Sequence, residues 1–152
     1  MHEKNFKDKI VETAVEQWKV VAAILGVAIV AGAGLGLWNE SRARKDRAAT
    51  NLLYESQISA RKALEAKNFE EAEKALFPVV EKFRGTRAAF EAELQMGDLW
   101  MDAGKYEKAV AHYRNASGMA SDSFSRLLAT YTIGIARESE GKCEDAVKAY
   151  EE

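Results

Sequence analysis

The stretch GDLWMDAGKYEKAVAHYRNA, Gly97 to Ala116, decides how this chain is read. Gly104 stands where one helix should stop, because glycine enters the left-handed conformation that closes a helix without a Cβ penalty. On both sides small residues (Gly97, Ala109, Ala116) are interleaved with large rings (Trp100, Tyr106, Tyr113) at helical spacing. Two helices that approach closely at the small residues and fill the space beside them with aromatics would produce this pattern.

The same pattern recurs on both sides at a shift of 37 residues, without a gap. The shift superposes Phe69, Tyr106 and Cys143; Ala72, Ala109 and Ala146; and Leu76, Tyr113 and Tyr150. It also pairs Leu53, Phe90 and Leu127; Ala60, Gly97 and Gly134; and Lys67, Gly104 and Gly141. A period of this length that covers most of a chain marks a helical repeat array. Gly85, Gly104, Gly118 and Gly141 mark expected helix ends, while Asn68, Thr86 and Ser121 with Asp122 mark expected N-caps. The helix pairs are then expected over 40–66 with 69–84, 87–103 with 105–117, and 122–140 with 142 onward. Pro78 removes a donor inside the second helix and should kink it near Lys74. The last helix meets Glu152 without a polar cap, so the natural protein is expected to continue.

Composition agrees with an all-α chain. Its 152 residues include 10 Gly and 1 Pro, with 47% apolar and 30% charged residues, ordinary globular proportions rich in helix formers. Lys plus Arg number 22 against 24 Asp plus Glu, which leaves no electrostatic footprint for nucleic acid. Cys143 stands alone, so no intramolecular disulfide or multi-thiolate metal site can form, and it reads as a small buried apolar residue. His2 and His112 lie in no metal or nucleophile motif and read as surface histidines. No cofactor and no metal is expected. Carboxylate pairs such as Glu70 with Glu71, Glu91 with Glu93, and Asp98 with Asp102 have no histidine beside them in sequence, so no catalytic site is expected.

Before the array, Val20 to Trp38 contains no charged, amide or hydroxyl side chain. At the rise of a helix these residues cover about 28 Å, enough for a hydrocarbon core. Trp18 with Lys19, and Trp38 ahead of Arg42, Arg44, Lys45 and Arg47, suit the two headgroup layers. A cleaved signal ending at Ala31-Gly32-Ala33 and a buried helix of a soluble protein are the alternatives. The mixed charge of the tail argues against the first, and the small size of the remainder against the second. A retained anchor is the preferred reading, with boundaries of 1–19 for an N-terminal tail, 20–38 for the span and 39–152 for the repeats. Phe6, Ile10, Val11, Ala14, Val15 and Trp18 share one face of the tail helix, which suits a membrane interface. Ala28, Gly32 and Gly36 recur every fourth residue and form a small-residue seam for another transmembrane helix. Lysines before the span and basic residues after it balance, so charge does not orient it. No Gly or Pro lies between Leu37 and Lys67, so the span is expected to run unbroken into the first repeat helix.

The block Gly97-Asp98-Leu99-Trp100, Ala103 to Ala109, Tyr113 and Ala116 resembles a full tetratricopeptide repeat. The blocks around Asn68 to Ala72 and from Gly134 to Tyr150 are similar but less complete, with Cys143 in place of the usual aromatic and no proline between repeats. The resemblance implies a helical solenoid of about three repeats whose first helices bind protein segments on their concave face. Carried onto this chain, that face is Tyr54, Gln57, Ile58 and Arg61; Glu91, Leu94, Gln95, Asp98 and Met101; and Leu128, Tyr131, Thr132 and Ile135. Arg61 is its one cation, so the carboxylate clamp of some family members is not expected. Met101 among the apolar members would adapt to varied partners.

The order of tail, span and repeats is similar to the bacterial inner-membrane family that includes the ancillary subunit of the Sec translocon. That resemblance implies a single-pass inner-membrane protein with periplasmic repeats, contacting translocon subunits, exported chains or periplasmic chaperones. The alternative is an envelope-assembly or cell-division coordinator that acts through homo-oligomerisation.

Overall fold

The computed structural model describes the backbone of residues 3–151 and the side chains of residues 17–20 and 22–151. Within them the chain is helical, in the order α1 (Glu3–Glu65), α2 (Phe69–Phe83), α3 (Arg87–Asp102), α4 (Tyr106–Met119), α5 (Ser123–Ser139) and α6 (Cys143–Glu151). Contacts divide the chain at Ala43/Arg44 into an N-terminal helical unit and a repeat unit. In the first unit, apolar side chains such as Val27, Ile29, Val30 and Leu37 are 70% or more exposed. From Gln17 the helix contains a window of mean hydropathy 2.5 with none of it buried, long and apolar enough to cross a membrane. Membrane anchors and export signals share that property. The side chains proposed for the tail's interfacial face, Trp18 apart, lie outside the described residues. Arg42 lies over the Trp38 ring at 5.3 Å.

In the repeat unit, backbone chemistry sets the helix ends. The Asn68 side chain accepts from Glu71 N–H, Thr86 from Ala89 N–H, and Asp122 from Ser125 N–H. Ser121 donates to Asp122 and does not cap the helix itself. Gly85, Gly104 and Gly141 take positive φ, whereas Gly118 lies inside α4, which continues to Met119. An isolated glycine inside a helix costs only about 1 kcal/mol, so packing can carry the helix through it. Lys67, the counterpart of Gly104 and Gly141, is also left-handed, with φ 54°. It is the one such non-glycine residue among the described residues, and the turn, not the residue type, dictates it. α2 runs unbroken through Pro78.

The pairing of first and second helices rests on close approach. A Cβ added to Gly97 would overlap the Tyr113 ring, and one on Gly134 the Tyr150 ring. The first repeat solves the same problem differently, with Ala60 in place of the glycine and Leu76 in place of the tyrosine. The core then falls into one cluster from α1 to α3, around Leu53, Leu76, Val79, Met96 and Leu99, and a second from α3 to α6, around Trp100, Val110, Tyr113 and Ile133. A smaller cluster joins Phe90, Ala116 and Ala129. Where α3 and α5 bury Ala92 and Ala129, Met96 and Ile133, and Leu99 and Ala136, α1 exposes Glu55, Ser59 and Lys62. α1 therefore presents a polar face outward, as terminal repeats do. At the other end Leu127 is 63% exposed although its counterparts Leu53 and Phe90 are buried. Cys143 is exposed, contrary to the buried reading, while Phe69 and Tyr106 at the same register are half-buried.

Two stability measurements follow. Lys67→Gly relieves the left-handed backbone and should raise the urea unfolding free energy by about 1 kcal/mol. Gly97→Ala should lower it by about 1–3 kcal/mol through overpacking, and adding Tyr113→Leu should recover part of that loss by restoring the Ala60/Leu76 arrangement.

Candidate partner-binding face

The thirteen positions inferred for the first-helix face distribute over α1, α3 and α5 and meet solvent to different degrees. Tyr54 (66% exposed), Ile58 (44%), Leu128 (38%) and Tyr131 (54%) are the most open apolar members. Arg61 and Asp98 are exposed, while Gln57, Gln95, Thr132 and Ile135 are half-buried. Leu94 and Met101 are committed in part to the core, packed against the Trp100 cluster. Glu91 is paired with Arg87 at 2.9 Å. Ala28, Gly32 and Gly36 lie in the N-terminal unit, and Gly32 and Gly36 have open space where a Cβ would sit.

Two clefts open along this face. One, of about 410 Å³, is lined by Gln57 and Arg61 of α1, Gln95, Asp98 and Asp102 of α3, and Leu76 of α2 at its floor. The other, of about 370 Å³, is formed on α1 by Tyr54, Gln57, Ile58, Arg61, Lys62 and Glu65. Gln57 and Arg61 belong to both, so the clefts adjoin. Asp102, named in the sequence only as a carboxylate paired with Asp98 and not as a member of the face, lies one turn beyond it and joins the cleft.

Electrostatics within the larger cleft are set by burial and two neighbours. The Tyr113 hydroxyl, from beneath, donates to Asp98 Oδ1 at 2.7 Å. Burial pushes the Asp98 carboxyl above its ordinary range, the Tyr113 bond pulls it back, and Asp102 pushes it up again. Burial and Asp98 together keep the Tyr113 phenol protonated. In the next repeat Ile135 replaces Asp98, and the Tyr150 hydroxyl instead donates to Glu138 at 2.8 Å. Burial and Glu138 push that phenol up to about 12, and its ring lies 5.6 Å from Tyr131. The face is thus cationic at Arg61, acidic at Asp98 and Asp102, and apolar at Leu128, Tyr131 and Ile135.

Away from this face, the structure corrects the reading of His112 as a surface residue. Its side chain is only 14% exposed and lies between Glu93 of α3, at 2.7 Å, and Glu73 of α2, at 3.1 Å. The two carboxylates face opposite ring nitrogens and so do not converge on a common metal position; no group of metal-ligating side chains occurs among the described residues. His2 lies outside the described residues.

The solenoid geometry and the paired-helix packing define a repeat-scaffold protein. A model for the tetratricopeptide repeat-like domain matches residues 15–152, and the chain belongs to that family. Among solved structures it is similar to one described as the crystal structure of MamA protein, at 20% identity and a TM-score of 0.51. The match covers 63% of this chain and 49% of that one, so the chain spans about half of that structure, and the likeness is one of fold. No curated protein matches the sequence. The family and the groove support a protein-interaction scaffold as the broad functional class.

The Asp98 environment can be checked by carboxyl NMR titration. Tyr113→Phe, which removes the donor that favours the carboxylate, should move the Asp98 midpoint further up; Asp102→Asn, which removes a like charge, should move it down.

Proposed function

We propose that this chain is a membrane-anchored interaction scaffold associated with the Sec translocon, whose repeats face the periplasm and receive exported chains or periplasmic chaperones. The observation that carries the scaffold reading is the pair of adjoining clefts on the first-helix face, with the exposed Tyr54 lining one of them and the exposed Leu128 and Tyr131 at the register positions of Tyr54 and Gln57 on α5. Exposed aromatic and aliphatic side chains beside convergent polar groups suit a protein segment. Membrane anchoring is supported by the apolar segment of α1, whose side chains would otherwise stand in water at about 25 cal/mol per Å². The assignment to the translocon rests on the resemblance in the order of tail, span and repeats.

A second reading, a coordinator of envelope assembly or cell division that acts as a homo-oligomer, is favoured by the uncovered small-residue seam at Ala28, Gly32 and Gly36. The two differ in what the span meets.

Topology is tested with Lys105→Cys in a Cys143→Ala background, the exposed native thiol being removed first. A membrane-impermeant maleimide should label intact spheroplasts; labelling only after lysis would place the repeats in the cytoplasm and overturn the proposal. A photocrosslinker at Tyr131 should capture translocon subunits, exported chains or chaperones, and one at Lys82 of α2 should not. Crosslinks from Tyr131 solely to a second copy of the chain would favour the coordinator.

A further inference from the structure

The two joints between successive repeats are held by different kinds of charge. At the joint between the second and third repeats, Glu107 of α4 accepts from Arg137 at 2.8 Å and from Lys142 at 2.7 Å, and Glu140 accepts from the same two cations. Arg137 and Lys142 hold the Glu107 carboxyl down to about 2, so this cluster keeps its charges across the whole neutral range. At the joint between the first and second repeats an imidazole, His112, stands between two carboxylates.

The register shows that the imidazole is a local substitution. At the shift of 37 residues Glu73, Glu93 and His112 correspond to Val110, Thr130 and Ala149, which bring no ionisable group to the next joint. One repeat earlier, Glu93 and His112 correspond to Ser56 and Ala75.

The geometry favours a charged ring. Both imidazole nitrogens have a carboxylate oxygen within hydrogen-bond distance, and only the imidazolium can donate at both. Glu93 is 4% exposed and its other oxygen accepts from Asn115, so its carboxylate is committed. Glu73 is 29% exposed and can turn to water. The charged groups that face the ring are Glu73 from α2 and Glu93 from α3; on α4 itself Lys108, one turn back, has its ammonium 3.8 Å over the Trp100 ring.

We propose that Glu73, His112 and Glu93 form a proton-operated latch that ties α2 of the first repeat to α4 of the second and releases it as pH rises. A neutral ring has one N–H. It stays with the deeply buried Glu93, because an unpaired buried carboxylate is the costlier alternative. Nε2 then presents a lone pair to the Glu73 carboxylate, and Glu73 moves to solvent. Loss of that bond loosens α2, whose Leu76 floors the larger cleft. Burial opposes the ring's charge, but the two glutamates outweigh it and raise the midpoint above the ordinary histidine value. The sign follows: the latch is fully closed below about pH 6.5, the unfolded midpoint, and is lost as pH rises through the higher folded one. This inference does not depend on what the cleft binds.

The chain has two histidines, so isotope-labelled imidazole NMR on the full chain in detergent resolves His112 from His2 in a His2→Ala control. His112 should remain imidazolium at a pH where an ordinary histidine is mostly neutral, and Glu73→Gln should lower its midpoint. Hydrogen exchange, corrected for intrinsic rates, should show α2 protection falling severalfold through the same pH interval in the wild type. In Glu73→Gln the amide can accept from the imidazolium or donate to the neutral Nε2, so α2 protection should lose its pH response, with Glu107→Gln leaving the response of α2 unchanged. A ring that is already neutral at pH 6, or an α2 response equally present in Glu73→Gln, would overturn the proposal. Should Glu73→Gln not fold, His112→Gln serves instead: a persisting pH response of α2 overturns the latch and a lost one supports it.

Discussion

Everything in the repeat unit depends on how closely a first helix approaches its second. At Gly97 and Gly134 the backbone of one helix lies against a tyrosine ring of the other, with no room for a Cβ. That contact fixes the crossing of each pair, and each tyrosine hydroxyl then reaches the first-helix face, at Asp98 in one repeat and Glu138 in the next. The ring that makes the core also sets the polarity of the groove. Buried packing and exposed recognition chemistry are therefore not separable here, because one side chain serves both.

The fold was legible because its signals are local. Caps at Asn68, Thr86 and Asp122 act within three residues, and a left-handed turn needs only its own position, so residue type at single positions is enough to expose them. Where local signals compete, the reading failed. Gly118 looked like a stop, yet α4 passes through it because the packing of Ala116 and Met119 outweighs the modest cost of a helical glycine. Cys143 looked buried by residue type, but its register position is only half-buried even where it holds Phe69 or Tyr106.

The candidate face was legible as a set of positions and not as a geometry. Which of its members retain free surface depends on tertiary packing that sequence spacing does not encode; Leu94 and Met101 lean on the core while Tyr54 and Tyr131 do not. His112 was beyond reach for a plainer reason. Its partners lie 19 and 39 residues earlier in the chain, and no motif joins them until three helices have stacked. A lone histidine among charged residues carries no mark of the two carboxylates that enclose it.

The pairing of Ala60 with Leu76, where the later repeats pair glycine with tyrosine, bears on how such an array can change by duplication and exchange. The two members of each pair lie sixteen residues apart on different helices, so neither is meaningful alone. A crossover within the loop between them would bring glycine opposite leucine, leaving a void, or alanine opposite tyrosine, forcing a collision. Recombination between the first repeat and its neighbours is therefore tolerated at the boundaries of whole helix pairs and penalised inside them. The unit of inheritance in this array is the pair, cut at the turns after Phe83 and Met119.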